Sequence, residues 1–184
     1  MRILTVRQPW AEAIVFGGKT VENRTTNIAG DYRGPVAIHT SKYRPKPAEW
    51  RAFEAEFPDA MSQMMHTVPW SQEEFGVIIG VVDIIGVHYS SDCYHASVQE
   101  ARRLFGEDRA AFHSLPVRNG AGGLIGRAGF CSEWALDTNY HLELANPRAL
   151  TEPIPYKGAL GLRTLDDDTV ALINERLAVG KGRR

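Results

Sequence analysis

The 184-residue sequence predicts a single α+β domain, with a small curved sheet or barrel and helices packed over it. Three observations carry that prediction. Short segments of strand character recur at irregular spacing, helical patterns are inserted between them, and the strongest strand is interrupted by glycines. In chain order, Ile3, Leu4 and Val6 read as a first strand. Pro9 stands where a helix begins, and Trp10 to Phe16 is a short helix ended by Gly17 and Gly18, with Trp10 and Ile14 on one face. Lys19 to Arg24 is extended. Tyr32-Arg33-Gly34-Pro35 is a turn leading into a buried-type strand, Val36 to His39. From Pro47 to Phe57 the spacing of Trp50, Phe53 and Phe57 is helical, and Pro58 stops it. Gly76 to Val87 is the strongest strand, its glycines marking bends or bulges. Ser91 or Asp92 caps a helix through Val98 and Leu104 that Gly106 closes. Residues 118–129 hold five of the chain's 17 glycines and are expected to form a mobile loop. Tyr140, Leu142 and Leu144 alternate with His141 and Glu143, the period of a half-exposed strand. The two prolines between Arg148 and Pro155 make that stretch an edge or connecting strand. Ala159 to Leu165 closes the sheet, Thr169 to Leu177 is a terminal helix, and 179–184 is a flexible tail.

Composition excludes several classes. Hydrophobic residues at 43% and charged residues at 23% leave neither disorder nor a collagen-like chain plausible. A formal charge of −1 excludes holding nucleic acid by a large overall positive excess. The charge is unevenly spread, however: eight basic residues stand against four acidic ones through residue 50, so the remainder is net negative. A local positive field attracts anionic ligands even on a near-neutral protein, whereas a solvated mixed surface explains the same asymmetry. Two cysteines, Cys93 and Cys131, cannot make a disulfide scaffold and suit a reducing compartment. The longest apolar run, Val77 to Val87, is too short and too interrupted to span a bilayer, and the N-terminus lacks a signal-peptide pattern. A soluble, cytoplasmic protein with no membrane partner is expected.

Most catalytic motifs fail on inspection. Gly17-Gly18-Lys19-Thr20 is not a P-loop, because Ala13 stands where a glycine is needed and the glycines end a helix instead of opening one. The glycines from Gly120 to Gly126 miss the dinucleotide fingerprint at Ile125. No nucleophile elbow and no H-E-x-x-H is present. Cys131 has no cysteine two residues away, as a zinc deaminase requires. Cys93 with His95 lacks a paired C-x-x-C, so a packing cysteine and a surface histidine are expected, with no metal and no cofactor.

Three blocks stand apart: Arg7-Gln8-Pro9-Trp10-Ala11, Gly18-Lys19-Thr20-Val21-Glu22-Asn23-Arg24, and Tyr32 through Lys42. Together with Cys131-Ser132-Glu133-Trp134-Ala135, Tyr140-His141 and Asn146-Pro147-Arg148, they resemble the ASCH (activating-signal-cointegrator homology) family of the PUA-like superfamily, in its bacterial and phage form. The resemblance covers most of the chain, with about 45–70 and about 91–129 as insertions. It implies a small β-barrel with helices over it and a cleft that binds RNA, DNA or a modified nucleoside. It also implies a runner-up activity, since one branch hydrolyses the acetyl amide of N4-acetylcytidine with a lysine, a threonine and a glutamate. Lys19 matches the lysine, but the threonine position is Glu22, so Glu22 would have to activate water while Lys19 steadies the oxyanion.

Residue chemistry supplies the candidate roles. On an extended segment Glu22 and Arg24 share one face. Arg24, Arg33 and Lys42 are suited to phosphates, and Trp10 or Trp134 to stacking on a base. Asn23 and Gln8 carry amides able to read a base edge, while His39 and Ser41 complete the ligand-binding set. Each has a plainer alternative: Trp10 as core, Glu22–Arg24 as a structural ion pair, His39 as a hydrogen-bonded core residue, Lys42 as solvated charge. Nucleic-acid or modified-nucleoside binding is the expected function, with Lys19 and Glu22 as a catalytic pair if the protein is a hydrolase.

Overall fold

The computed structural model describes residues 1–69, 75–93, 116–118, 124–127 and 131–178. They form β1 (Arg2–Val6), α1 (Trp10–Phe16), β2 (Val21–Arg24), β3 (Gly34–Thr40), α2 (Pro47–Glu56), α3 (Pro58–Thr67), β4 (Val77–Tyr89), β5 (Pro116–Arg118), β6 (Leu124–Arg127), β7 (Tyr140–Pro155), β8 (Leu162–Thr164) and α4 (Asp167–Ala178). Residues 90–93 are helical. The predicted course of that helix through Val98 and Leu104, most of the glycine-rich 118–129 segment, His95 and the 179–184 tail lie outside the described residues.

The α+β class holds, but the expected barrel is not closed. A six-stranded sheet runs β2-β7-β4-β3-β1-β8, so β2 and β8 are open edges, and β5 with β6 makes a separate two-stranded sheet. Four- and three-residue edge strands offer few backbone groups for a further partner. Ile3–Val6, Val36–His39, Val77–Val87 and Tyr140–Leu144 all fall in the large sheet as the sequence predicts. β1 and β3 are parallel, with Thr5 opposite His39 and Val6 opposite Thr40, whereas β3–β4, β1–β8 and β2–β7 are antiparallel.

The chain gathers into two compact units. Met1–Lys19, Asp31–Ile85 and Leu144–Arg184 make the first; Thr20–Gly30 and Gly86–Glu143 make the second. In the first, Ile3, Ala37, Ile78, Val81, Leu150, Ile154, Leu165 and Ile173 form an apolar cluster, all 5% exposed or less. Gly80 is where this unit is tightest. A Cβ there would lie 2.7 Å from Val15 Cγ1 on α1 and 2.8 Å from the Arg148 carbonyl on β7, so only glycine fits between helix and strand. The β3–β4 register slips beside it, between Ile38–Gly80 and His39–Ile78, which leaves Ile79 as the extra residue of a bulge.

Two elements depart from expectation. Pro58 ends α2 but also occupies the first turn of α3, where a proline's missing N–H costs nothing. α3 buries Ala60 and Met64, one turn apart. The two predicted strands 140–144 and 148–155 are one sixteen-residue strand, β7. Asn146 takes a left-handed φ of 53° within it and donates to Asp83 Oδ2 at 3.0 Å, beside an Arg148–Asp83 ion pair. β2 pairs only with Tyr140–Glu143, so the stretch holding Pro153 and Pro155 has no β2 partner, and its prolines leave no donor unmatched on that side.

Candidate functional site

In the first unit, the C-terminal ends of the parallel strands β1 and β3 bring the polar candidates together. The Ser41 N–H donates to the Val6 carbonyl at 2.8 Å, so Arg7 and Gln8 leave the sheet beside Ser41 and Lys42. Arg7 and Arg44 are both exposed and both stacked: the Arg7 guanidinium lies 4.7 Å from the Tyr43 ring centre, that of Arg44 4.5 Å from Phe75. Tyr43 is held by its hydroxyl, which donates to Glu49 Oε2 at 2.8 Å; that same oxygen accepts from the Lys46 N–H at 2.8 Å. The Lys46 N–H, then the Tyr43 hydroxyl, hold the exposed Glu49 carboxyl below its ordinary range. Lys42 is exposed, its stem lying along Gly76, where a Cβ would come within 3.3 Å of Lys42 Cγ and Cε. Three cations and an exposed aromatic ring thus share one strand-end face.

α1 follows directly on β1 and Gln8. Gln8 is buried, and its amide is spent on the helix's first turn: Nε2 donates to Glu12 Oε1 at 2.7 Å, while Oε1 accepts the Glu12 N–H at 3.2 Å. This reciprocal pairing satisfies groups that a helix start leaves orphaned. Trp10 packs edge-on against Phe53 and Phe57 of the α2 region, at 5.0 and 5.8 Å between ring centres. Lys19 is only 4% exposed, and its ammonium sits 5.4 Å from the Trp10 ring centre, inside cation–π range. Gly18, at φ 73°, supplies the left-handed turn that swings Lys19 back over the helix it has just left.

His39 and Arg33 do not join this face. His39 is buried with Nδ1 3.2 Å from Thr5 Oγ1 and Nε2 3.1 Å from the Tyr156 carbonyl, which fixes Nε2 as the donor. Burial lowers its pKa and outweighs the opposing carbonyls of Tyr156 and Gly76, which favours the neutral imidazole. Arg33, exposed at the start of β3, donates to the Tyr32 carbonyl at 2.8 Å.

The second unit holds the remaining candidates. Glu22 and Arg24, adjacent on one face of β2, form the ion pair that their spacing predicts, at 2.9 Å. Asn23 points the other way and clamps a turn: Nδ2 donates to the Trp134 carbonyl at 2.7 Å, and Oδ1 accepts the Leu136 N–H at 2.9 Å. Trp134 is 4% exposed, which leaves its ring no open face for a base. Each end of the Asn23 amide thus makes a bond to the backbone of the 134–136 turn. Lys19 and Glu22, the pair proposed for amide hydrolysis, fall one in each unit.

The same unit contains a constellation the sequence did not suggest. His88, Cys93, Cys131 and His141 place a ring nitrogen or sulfur each within 4.8 Å of one another. Burial pushes the Cys131 thiol up to about 12, reinforced by neighbouring Cys93, although the residue as a whole is exposed. Its sulfur faces inward, 3.5 Å from Nδ1 of the fully buried His141, whose own pKa burial lowers.

A mixed α+β domain whose six-stranded sheet contains the parallel pair β1–β3, with ligand candidates gathered at that pair's C-terminal end, is the class these features define. The sequence profile of the ASCH domain matches residues 4–154, from β1 nearly to the end of β7, and the chain belongs to that family. The family is associated with binding nucleic acid. Among the described residues no helix is long and apolar enough to cross a membrane.

Proposed function

We propose that this ASCH domain binds single-stranded RNA, or a nucleoside within it, on the face at the C-terminal ends of β1 and β3. The observation that carries the reading is the pair of exposed arginine–aromatic stacks, Arg7–Tyr43 and Arg44–Phe75, flanking Lys42 and Ser41. Guanidinium planes and aromatic rings are the surfaces on which unpaired bases stack, and the same cations neutralise phosphates. A positive patch here also explains how a chain of net charge −1 attracts a polyanion. The buried Lys19 ammonium, 5.4 Å from the Trp10 ring centre in the same unit, is suited to a polar group of an inserted base. Hydrolysis of an acylated base is not part of the proposal. Glu22 is engaged by the Arg24 guanidinium at 2.9 Å, which commits its carboxylate to an ion pair on β2.

The test is fluorescence anisotropy with short single-stranded RNA and matched DNA, titrated across salt. Removing one phosphate contact reduces the log–log salt slope by about 0.7 for a single strand. Lys42→Ala and Arg44→Ala should each do so, whereas Arg33→Ala, at the opposite end of β3, should not. RNA binding indifferent to Arg7, Lys42 and Arg44, or no binding at low salt, refutes the assignment.

A further inference from the structure

We propose that His88, Cys93, Cys131 and His141 hold a structural zinc ion. The geometry is that of a tetrahedral site drawn slightly inward. Zinc bonds of about 2.0–2.1 Å to nitrogen and about 2.3 Å to sulfur imply edges of about 3.3 Å N–N, about 3.6 Å N–S and about 3.8 Å S–S. His88 Nε2 and His141 Nδ1 are 3.3 Å apart. Cys93 Sγ is 3.2 Å and Cys131 Sγ 3.5 Å from His141 Nδ1, and His88 Nε2 is 2.8 Å from Cys93 Sγ.

The outer contacts make the stronger argument. His88 Nδ1 lies 2.7 Å from Glu143 Oε1, and His141 Nε2 donates to the Leu136 carbonyl at 2.8 Å. A neutral imidazole that donates from one nitrogen presents a lone pair at the other. Both far nitrogens are thereby held as donors, and both near nitrogens point lone pairs at the same spot. A carboxylate and a backbone carbonyl are the partners by which zinc-bound histidines are oriented. Gly86 belongs to the arrangement: a Cβ there would stand 2.5 Å from Glu143 Oε2, so glycine is what lets that carboxylate lie where it meets His88. Two thiolates and two imidazoles select zinc over oxygen-seeking cations, and four protein ligands leave no open position for a reactive water. Binding releases both thiol protons, and the two thiolates neutralise the dication.

The four ligands tie the end of β4, the helical residues 90–93, the segment before β7 and β7 itself.

The full chain, expressed in zinc-containing medium and purified without chelator, is assayed for metal by plasma mass spectrometry. After chelation, cobalt(II) is added in place of zinc. The expected results are one zinc per chain, and a sulfur-to-cobalt charge-transfer band with the visible bands of tetrahedral cobalt. Cys131→Ser should lose that band in part and the zinc on dialysis. Glu143→Gln, which leaves all four ligands in place, should keep the stoichiometry with about 10- to 100-fold weaker zinc binding. If the cysteine variants do not fold, titration of wild-type thiols decides: zinc must shield both Cys93 and Cys131. A folded chain that retains no zinc, cobalt without the charge-transfer band, or a Cys93–Cys131 disulfide in the isolated protein overturns the proposal.

Discussion

Replacing Gly80 by Ala tests how α1, the helix that carries Trp10, is seated on the sheet. The new methyl carbon would lie 2.7 Å from Val15 Cγ1 and 2.8 Å from the Arg148 carbonyl oxygen. Relaxed carbon contacts lie at about 3.5–4.0 Å, so something must move by about 0.8 Å. The carbonyl is backbone of β7 and cannot rotate away, and valine in a helix is stiff at χ1. Relief therefore comes from lifting α1 off β4. Overpacking of this kind costs about 1–3 kcal/mol. For a chain of this length each kcal/mol is about 2–4 °C, so Tm should fall by about 2–12 °C. Thermal unfolding followed by circular dichroism measures it. Adding Val15→Ala removes one of the two clashes, so the double variant should be more stable than the sum of the singles, with a coupling of about 0.5–3 kcal/mol. An unchanged Tm for Gly80→Ala, or strict additivity, would refute the packing argument.

Asn23→Ala removes both contacts to the 134–136 turn and should cost about 1–3 kcal/mol in urea unfolding, because the Leu136 N–H and Trp134 carbonyl lose their partner. His39 has a folded pKa below its unfolded one, so the unfolded chain takes the proton first. Its contribution to stability is intact above about pH 6.5 and declines as pH falls below that, by at most about 1.4 kcal/mol per unit until the folded pKa is reached. His39→Gln should flatten that part of the stability–pH curve, and ring-proton NMR should show His39 titrating below the usual histidine range. Incubation of the wild type with N4-acetylcytidine should yield no cytidine by chromatography; deacetylation lost in Glu22→Gln would instead make the protein a hydrolase.

Local pattern was enough for most elements, for the family, and for the ion pair on β2. Pro9 with Gly17 bounded α1, alternation gave the start of β7, and residues two apart on a strand necessarily share a face, which joined Glu22 to Arg24. These are properties of one segment and its immediate neighbours. Strand order is not such a property, and it decided the rest. Parallel pairing of β1 and β3 put Arg7 beside Ser41 and Lys42, 34 or more residues away along the chain, and gave the candidate RNA face. Amides at Gln8 and Asn23 read from sequence as available donors, but at the helix start Gln8 Nε2 donates to the Glu12 carboxylate, and Asn23 Nδ2 donates to the Trp134 carbonyl of a turn. The zinc ligands were invisible for the same reason. His88 and Cys93 are five residues apart, Cys131 and His141 ten, and the halves 38 or more, with none of the close cysteine pairs that betray a metal site in sequence. Only the meeting of β4 with β7 brings those halves within bonding reach of one ion.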